Sequence, residues 1–125
     1  MEKETTYKSE NKAQISFSIR TADRMYFVAV DTIAFVLLEN DTVQLIDFNG
    51  TKHVISKTLE SIEKAVSPQQ FYRVNRQMIV NRAAIKDVEM YFNQRVSLHL
   101  TVPIPEKMIV PRFKVKPFLN WMEKG

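Results

Sequence analysis

The apolar residues of this chain fall in short runs broken by turn signals, and that pattern restricts the fold more than any other feature. Ile15, Phe17 and Ile19 alternate with Ser16, Ser18 and Arg20, which predicts a half-buried strand. Tyr26–Val30, Ile33–Glu39, Val43–Phe48 and Thr51–Ile55 follow, with Asn40-Asp41 and Asn49-Gly50 as turns. Asn-Gly between two such runs is a strong hairpin signal, because a type I′ turn needs positive φ at both central residues. Helical spacing is confined to two places. Leu59, Ile62 and Val66 share a face over about Thr58–Val66, ended by Pro68, and Phe118, Leu119 and Met122 predict a short closing helix from Pro117. Strands without βαβ alternation argue against a parallel α/β enzyme fold.

The second half continues the β pattern with one difficult stretch. Phe71–Val74 reads as a short strand, followed by a tight helical turn through Gln77–Val80. Strands resume at Ile85–Tyr91. Val96, Leu98, Leu100 and Val102 alternate with polar residues, and Asn93-Gln94 is their hairpin turn. Pro103 and Pro105 force an extended connection, and Met108–Val110 is a last strand. The polar lead reads as a linker or added tail over residues 1–14, leaving residues 15–124 as one mainly β domain.

Several chemistries are excluded. The chain has no cysteine, which removes disulfides, thiolate metal sites and cysteine nucleophiles. Two glycines cannot build a Gly-rich phosphate loop. His53 and His99 stand at strand positions without metal-ligand spacing. No catalytic constellation, metal site or cofactor motif emerges, no run is long enough to span a bilayer, and the expectation is a non-enzyme without a cofactor.

Charge separates the halves. The net charge is +4, with −2 over residues 1–62 and +6 over residues 63–125. A polyanion would meet the second half. There, Arg73, Asn75, Arg76, Gln77, Asn81 and Arg82 interleave with Phe71, Val74, Met78, Ile79, Val80 and Ile85. Arg reads guanine bidentately, Asn and Gln read adenine, and Arg is also a phosphate fork. Asn81 reads as a brace for its own turn. Arg73 is either a strut paired with an acid or, like Arg82, a phosphate contact. Arg76 and Gln77 have no evident internal partner. A second basic group, Lys107, Arg112, Lys114 and Lys116, reads as a surface strand or loop leading into the last helix.

Phe71-Tyr72-Arg73-Val74-Asn75-Arg76-Gln77-Met78-Ile79-Val80-Asn81, with Ile85, resembles the central motif of the LytTR family, the DNA-binding output domain of bacterial response regulators. Asp31-Thr32-Ile33-Ala34-Phe35, the Asn-Gly hairpin, Leu59–Ile62 and Val110-Pro111-Arg112 agree with the flanking layout. Asn75, Gln77 and Met78 replace the usual His, Ser and aromatic residue. Pro111 replaces the usual Ser and so lacks a hydroxyl and an N–H for phosphate.

The resemblance implies about ten short strands in small sheets with one or two short helices. It implies a cytoplasmic, sequence-specific transcription regulator that enters successive major grooves through loops and bends DNA. Its implied partners are double-stranded direct-repeat sites bound by two protomers, an upstream receiver domain and a sensor kinase. Carried over by position, the DNA contacts are Thr42, Arg73, Asn75, Arg76, Gln77, Arg112 and Lys114. The alternative is a β-rich protein-interaction domain that has lost DNA binding, suggested by Pro111 and by Asp41 beside Thr42.

Overall fold

A computed structural model describes residues 13–125. Among the described residues, ten strands form three sheets, joined by two helices and single 3₁₀ turns. The central sheet has five antiparallel strands in the order β5-β4-β3-β7-β6: β3 Ile33–Glu39, β4 Thr42–Asp47, β5 Lys52–Ile55, β6 Phe71–Asn75 and β7 Met78–Asn81. β1 Ser16–Arg20 and β2 Met25–Ala29 form a separate hairpin. β8 Ile85–Met90, β9 Val96–Leu100 and β10 Met108–Val110 form the third sheet, in the order β10-β9-β8. The helices are α1 Leu59–Ala65 and α2 Arg112–Lys124.

The central sheet is buried on both faces, which explains why Ile33–Leu37 is a continuous apolar run rather than an alternation. Phe35, Leu37, Met78 and Val80 pack with Leu98, Met108, Phe118 and Trp121 on one side. Val36, Leu45 and Ile79 pack with Phe17, Ile19, Val28, Leu59 and Ile62 on the other. β1 alternates as expected, with Phe17 and Ile19 inward. α1 is capped by Thr58, whose hydroxyl accepts from the Ser61 N–H at 3.0 Å.

The structure corrects four sequence expectations. Gln77–Val80 is not a helical turn: Met78–Asn81 is strand β7, paired on both sides. All four β7 residues are buried, and a strand buried on both faces shows no alternation that would mark it as a strand. The closing helix does not begin at Pro117 but at Arg112, with Pro117 inside it, so the basic segment is helical rather than a strand or loop. Its first turn tightens, Lys114 N–H bonding the Pro111 carbonyl at 2.9 Å. The Asn49-Gly50 loop spans three residues, and only Gly50 has positive φ, at 83°. Left-handed φ at both turn positions occurs instead at Asn40-Asp41, at 54° and 61°, and at Asn93-Gln94, at 58° and 62°. Asp47 sets the Gly50 turn. Burial works to raise its pKa, but hydrogen bonds from His53 and from the Thr51 and Asn49 N–H groups outweigh it and hold the carboxyl below its usual range.

The expected tail falls outside the described residues apart from Ala13 and Gln14. The Gln14 N–H donates to the Ala65 carbonyl at 2.8 Å. Among the described residues no helix is long and apolar enough to cross a membrane.

Candidate nucleic-acid interface

The motif Phe71–Asn81 folds into the β6–β7 hairpin. Asn75 pairs with Met78, leaving Arg76 and Gln77 as a two-residue tip, and a bulge at Val74 shifts the register between Arg73 and Asn75. The Asn75 Oδ1 accepts from the Gln77 N–H at 2.8 Å, and its Nδ2 donates to the Ile109 carbonyl on β10 at 2.8 Å. The Leu38 N–H of β3 donates to the Gln77 carbonyl at 2.8 Å. Arg73 runs beneath the tip, donating from Nε to the Asn75 carbonyl at 3.0 Å and from Nη2 to the Arg76 carbonyl at 2.7 Å. Its Nη1 meets Glu63 at 3.2 Å. The Lys114 ammonium of α2 donates to the Arg73 carbonyl at 2.6 Å. Burial of that ammonium is the main force lowering its pKa. Glu63 acts in the opposite direction and Arg73 adds to the lowering.

Backbone polar groups of the tip are thus held by β3 and by the Asn75 and Arg73 side chains, and the Asn75 side chain is itself tied to β10. The side chains of Arg76 and Gln77 stay exposed and form no hydrogen bond or ion pair with any described residue. Together with Arg95, Ile109, Pro111 and Phe113 they line an open cleft of about 890 Å³. Arg112 is the exposed first residue of α2, set between the lining residues Pro111 and Phe113. Phe113 is 80% exposed, an unusual state for a large apolar side chain in a basic setting.

The seven sequence-nominated residues divide accordingly. Arg73, Asn75, Arg76, Gln77 and Lys114 converge on this cleft, with Arg112 at its margin. Thr42 is not among the lining residues. It sits at the β3–β4 turn, at the same end of the sheet, since its neighbour Val43 pairs with Leu38. Its hydroxyl donates to the Asn40 carbonyl at 3.2 Å. Within the cleft, Arg73 and Lys114 are committed to the protein, and Asn75 uses both ends of its amide internally. Arg82 is a strut as well. It donates to the Gln69, Trp121 and Met122 carbonyls and stacks on the Trp121 ring at 3.9 Å.

Sequence reasoning missed Arg95. A cation just after the Asn93-Gln94 turn, with Tyr91 four residues earlier, was the available signal, but only the fold shows that this turn reaches the cleft.

The family model for the LytTr DNA-binding domain matches residues 23–123, which include both arms of this hairpin and the start of α2. The chain belongs to the LytTr DNA-binding domain family. The LytTr domain is 29% identical over 102 residues to the sensory transduction protein LytT of Enterococcus faecalis, covering 78% of this chain and 41% of the relative. It is 27% identical over 111 residues to LytR of Staphylococcus haemolyticus, covering 89% of this chain and 42% of the relative. It therefore spans well under half the length of either protein. The fold matches the LytTr DNA-binding domain of a Bacillus cereus methyl-accepting/DNA response regulator, with a TM-score of 0.74 at 15% identity, over 88% of this chain and 98% of that one. The mainly β architecture that the motif resemblance implies is the observed one, with ten strands in three sheets and two helices among the described residues.

Proposed function

We propose that this LytTr domain is the sequence-specific, double-stranded-DNA-binding output domain of a two-component response regulator, reading bases through the Arg76-Gln77 tip. The observation that carries the reading is the state of that tip: its backbone is held by β3 and by the Asn75 and Arg73 side chains, while two side chains of the base-reading kind stand exposed. Arg76 has the fork for guanine O6 and N7, and Gln77 has the amide for adenine N6 and N7. Arg112, at the positive end of α2, holds a phosphate or base beside them. Asn75, Arg73 and Lys114 act as positioning residues that hold the tip. Thr42 offers a peripheral hydrogen bond at the same end of the sheet.

The β3–β4 turn, the β6–β7 tip and the start of α2 lie at one end of the central sheet, an arrangement that suits contact with successive grooves of a bent duplex, with two protomers on a direct repeat. The longer relatives named as sensory transduction proteins support an upstream receiver domain and a sensor kinase as partners, acting in the cytoplasm.

The test is selection from random duplexes, read by fluorescence anisotropy at several salt concentrations. The expected result is enrichment of direct repeats, with affinity falling steeply as salt rises. If the folded protein binds no duplex even at low salt, the reading is wrong and a protein-interaction role takes its place.

A further inference from the structure

The β8–β9 turn carries a feature that the base-reading tip does not explain. Tyr91 to Arg95 closes a tight loop, the Tyr91 N–H donating to the Arg95 carbonyl at 2.9 Å. Asn93 and Gln94 both hold left-handed φ, at 58° and 62°. Arg95 donates from Nε to the Phe92 carbonyl at 3.0 Å, and its guanidinium lies 5.0 Å from the centre of the Tyr91 ring. Lys107, just before β10, places its ammonium 5.9 Å from the same ring. Two cations therefore share one aromatic platform. Neither has a carboxylate within 4.0 Å among the described residues.

Among the described residues Arg95 is fixed through Nε alone, which leaves both terminal nitrogens as a fork. The same residue lines the cleft that Arg76 and Gln77 line, which puts the fork on the face assigned above to DNA. Beside it, Phe92 is 73% exposed and Met90 77% exposed, apolar surface that a duplex sugar or base face would cover. An acidic protein would also be attracted to two cations. The shared cleft with Arg76 favours the duplex.

We propose that the β8–β9 turn is a further DNA-contacting element, in which Tyr91 holds Arg95 and Lys107 against phosphates flanking the base pairs reached by Arg76. The contact is to the backbone, so it adds affinity and fixes orientation without changing the preferred sequence. It rests on the DNA-binding reading above.

The experiment compares the selected duplex bound to the wild-type chain, Arg95→Ala, Lys107→Ala, the double variant and Lys52→Ala, across a salt series. Lys52 is exposed on β5, next to the Gly50 turn at the other end of the central sheet, and serves as the charge control. Thermal melts confirm that each variant folds. The double variant is expected to bind about tenfold more weakly at moderate salt, the equivalent of one charged hydrogen bond lost. Its log–log salt slope is expected to shrink by roughly 0.9 for each phosphate contact removed, with unchanged sequence preference. Lys52→Ala should leave the slope at its wild-type value. If the folded double variant matches Lys52→Ala in affinity and slope, the proposal is overturned while the DNA-binding reading stands. If the wild-type chain binds no duplex at all, both are overturned.

Discussion

The sequence Asn-Arg occurs at the end of β6 and again at the end of β7, and the two copies have opposite fates. Asn75 and Asn81 behave alike. Each accepts from the N–H two residues on, at 2.8 and 2.9 Å, and each donates to a distant carbonyl at 2.8 Å, Ile109 in one case and Ile33 in the other. The arginines that follow differ. Arg82 turns inward, donating to three carbonyls and stacking on Trp121. Arg76 turns outward and touches no partner among the described residues. The asparagine makes a rigid corner in both places. What lies beyond the corner decides whether the arginine becomes structure or remains free for a ligand.

Arg82→Ala tests the inward copy hardest. It leaves the Met122 and Gln69 carbonyls without their side-chain donor, removes one of two donors from the Trp121 carbonyl and strips the Trp121 face, so a loss of about 3 kcal/mol is expected. A denaturant titration measures it, and a loss below about 1 kcal/mol would break the comparison. Asn81→Ala, with Asn81 only 1% exposed, should cost about 2 kcal/mol, whereas the half-buried Asn75→Ala should cost nearer 1 kcal/mol. Only Asn75→Ala should also weaken DNA binding out of proportion to its stability effect, because it loosens the tip.

Arg76→Ala is the complementary case. Its stability change should stay within about 0.5 kcal/mol, as for other surface positions, while discrimination at one base position falls by roughly 1–3 kcal/mol. Selection from randomised duplexes reads that directly. Stability falling as much as for Arg82→Ala would show that Arg76 is structural too.

The smallest effect concerns pH. Burial lowers the Lys114 pKa below 10.5, so the unfolded chain holds that proton to higher pH than the folded one. Stability should therefore rise modestly as pH climbs through the folded value toward 10.5. Lys114→Met should flatten that rise. Chemical denaturation at stepped alkaline pH checks it, and an unchanged slope would show that Lys114 is not committed to the fold as its bond to the Arg73 carbonyl indicates.

Much of this was legible beforehand. Strand β3, the alternation in β1, the helix after Thr58 and the last strand Met108–Val110 follow from local apolar periodicity and turn chemistry. Arg76 and Gln77 were recognisable because they stand between apolar anchors without a local partner. The missed elements share a cause. β7 lies between β3 and β6 and is buried on both faces, so its residues carry no period. α2 starts five residues before the proline taken as its beginning, because a tightened first turn and the packing of Phe118 and Trp121 hold it.

By itself the sequence determined the class of element at most positions, the basic second half and the motif that carries the exposed Arg76-Gln77 pair. Those properties depend on neighbours within a few residues. Only the tertiary structure decided which cations are used internally. Arg82 and Lys114 are bound by groups thirteen to forty-one residues away, Arg73 adds to its local carbonyls an ion pair with Glu63 ten residues away, and Arg95 lines the same cleft as Arg76 from a different sheet. An arginine looks the same in a sequence whether its fork faces a carbonyl or solvent. The difference lies in long-range contacts, which form when the sheets pack.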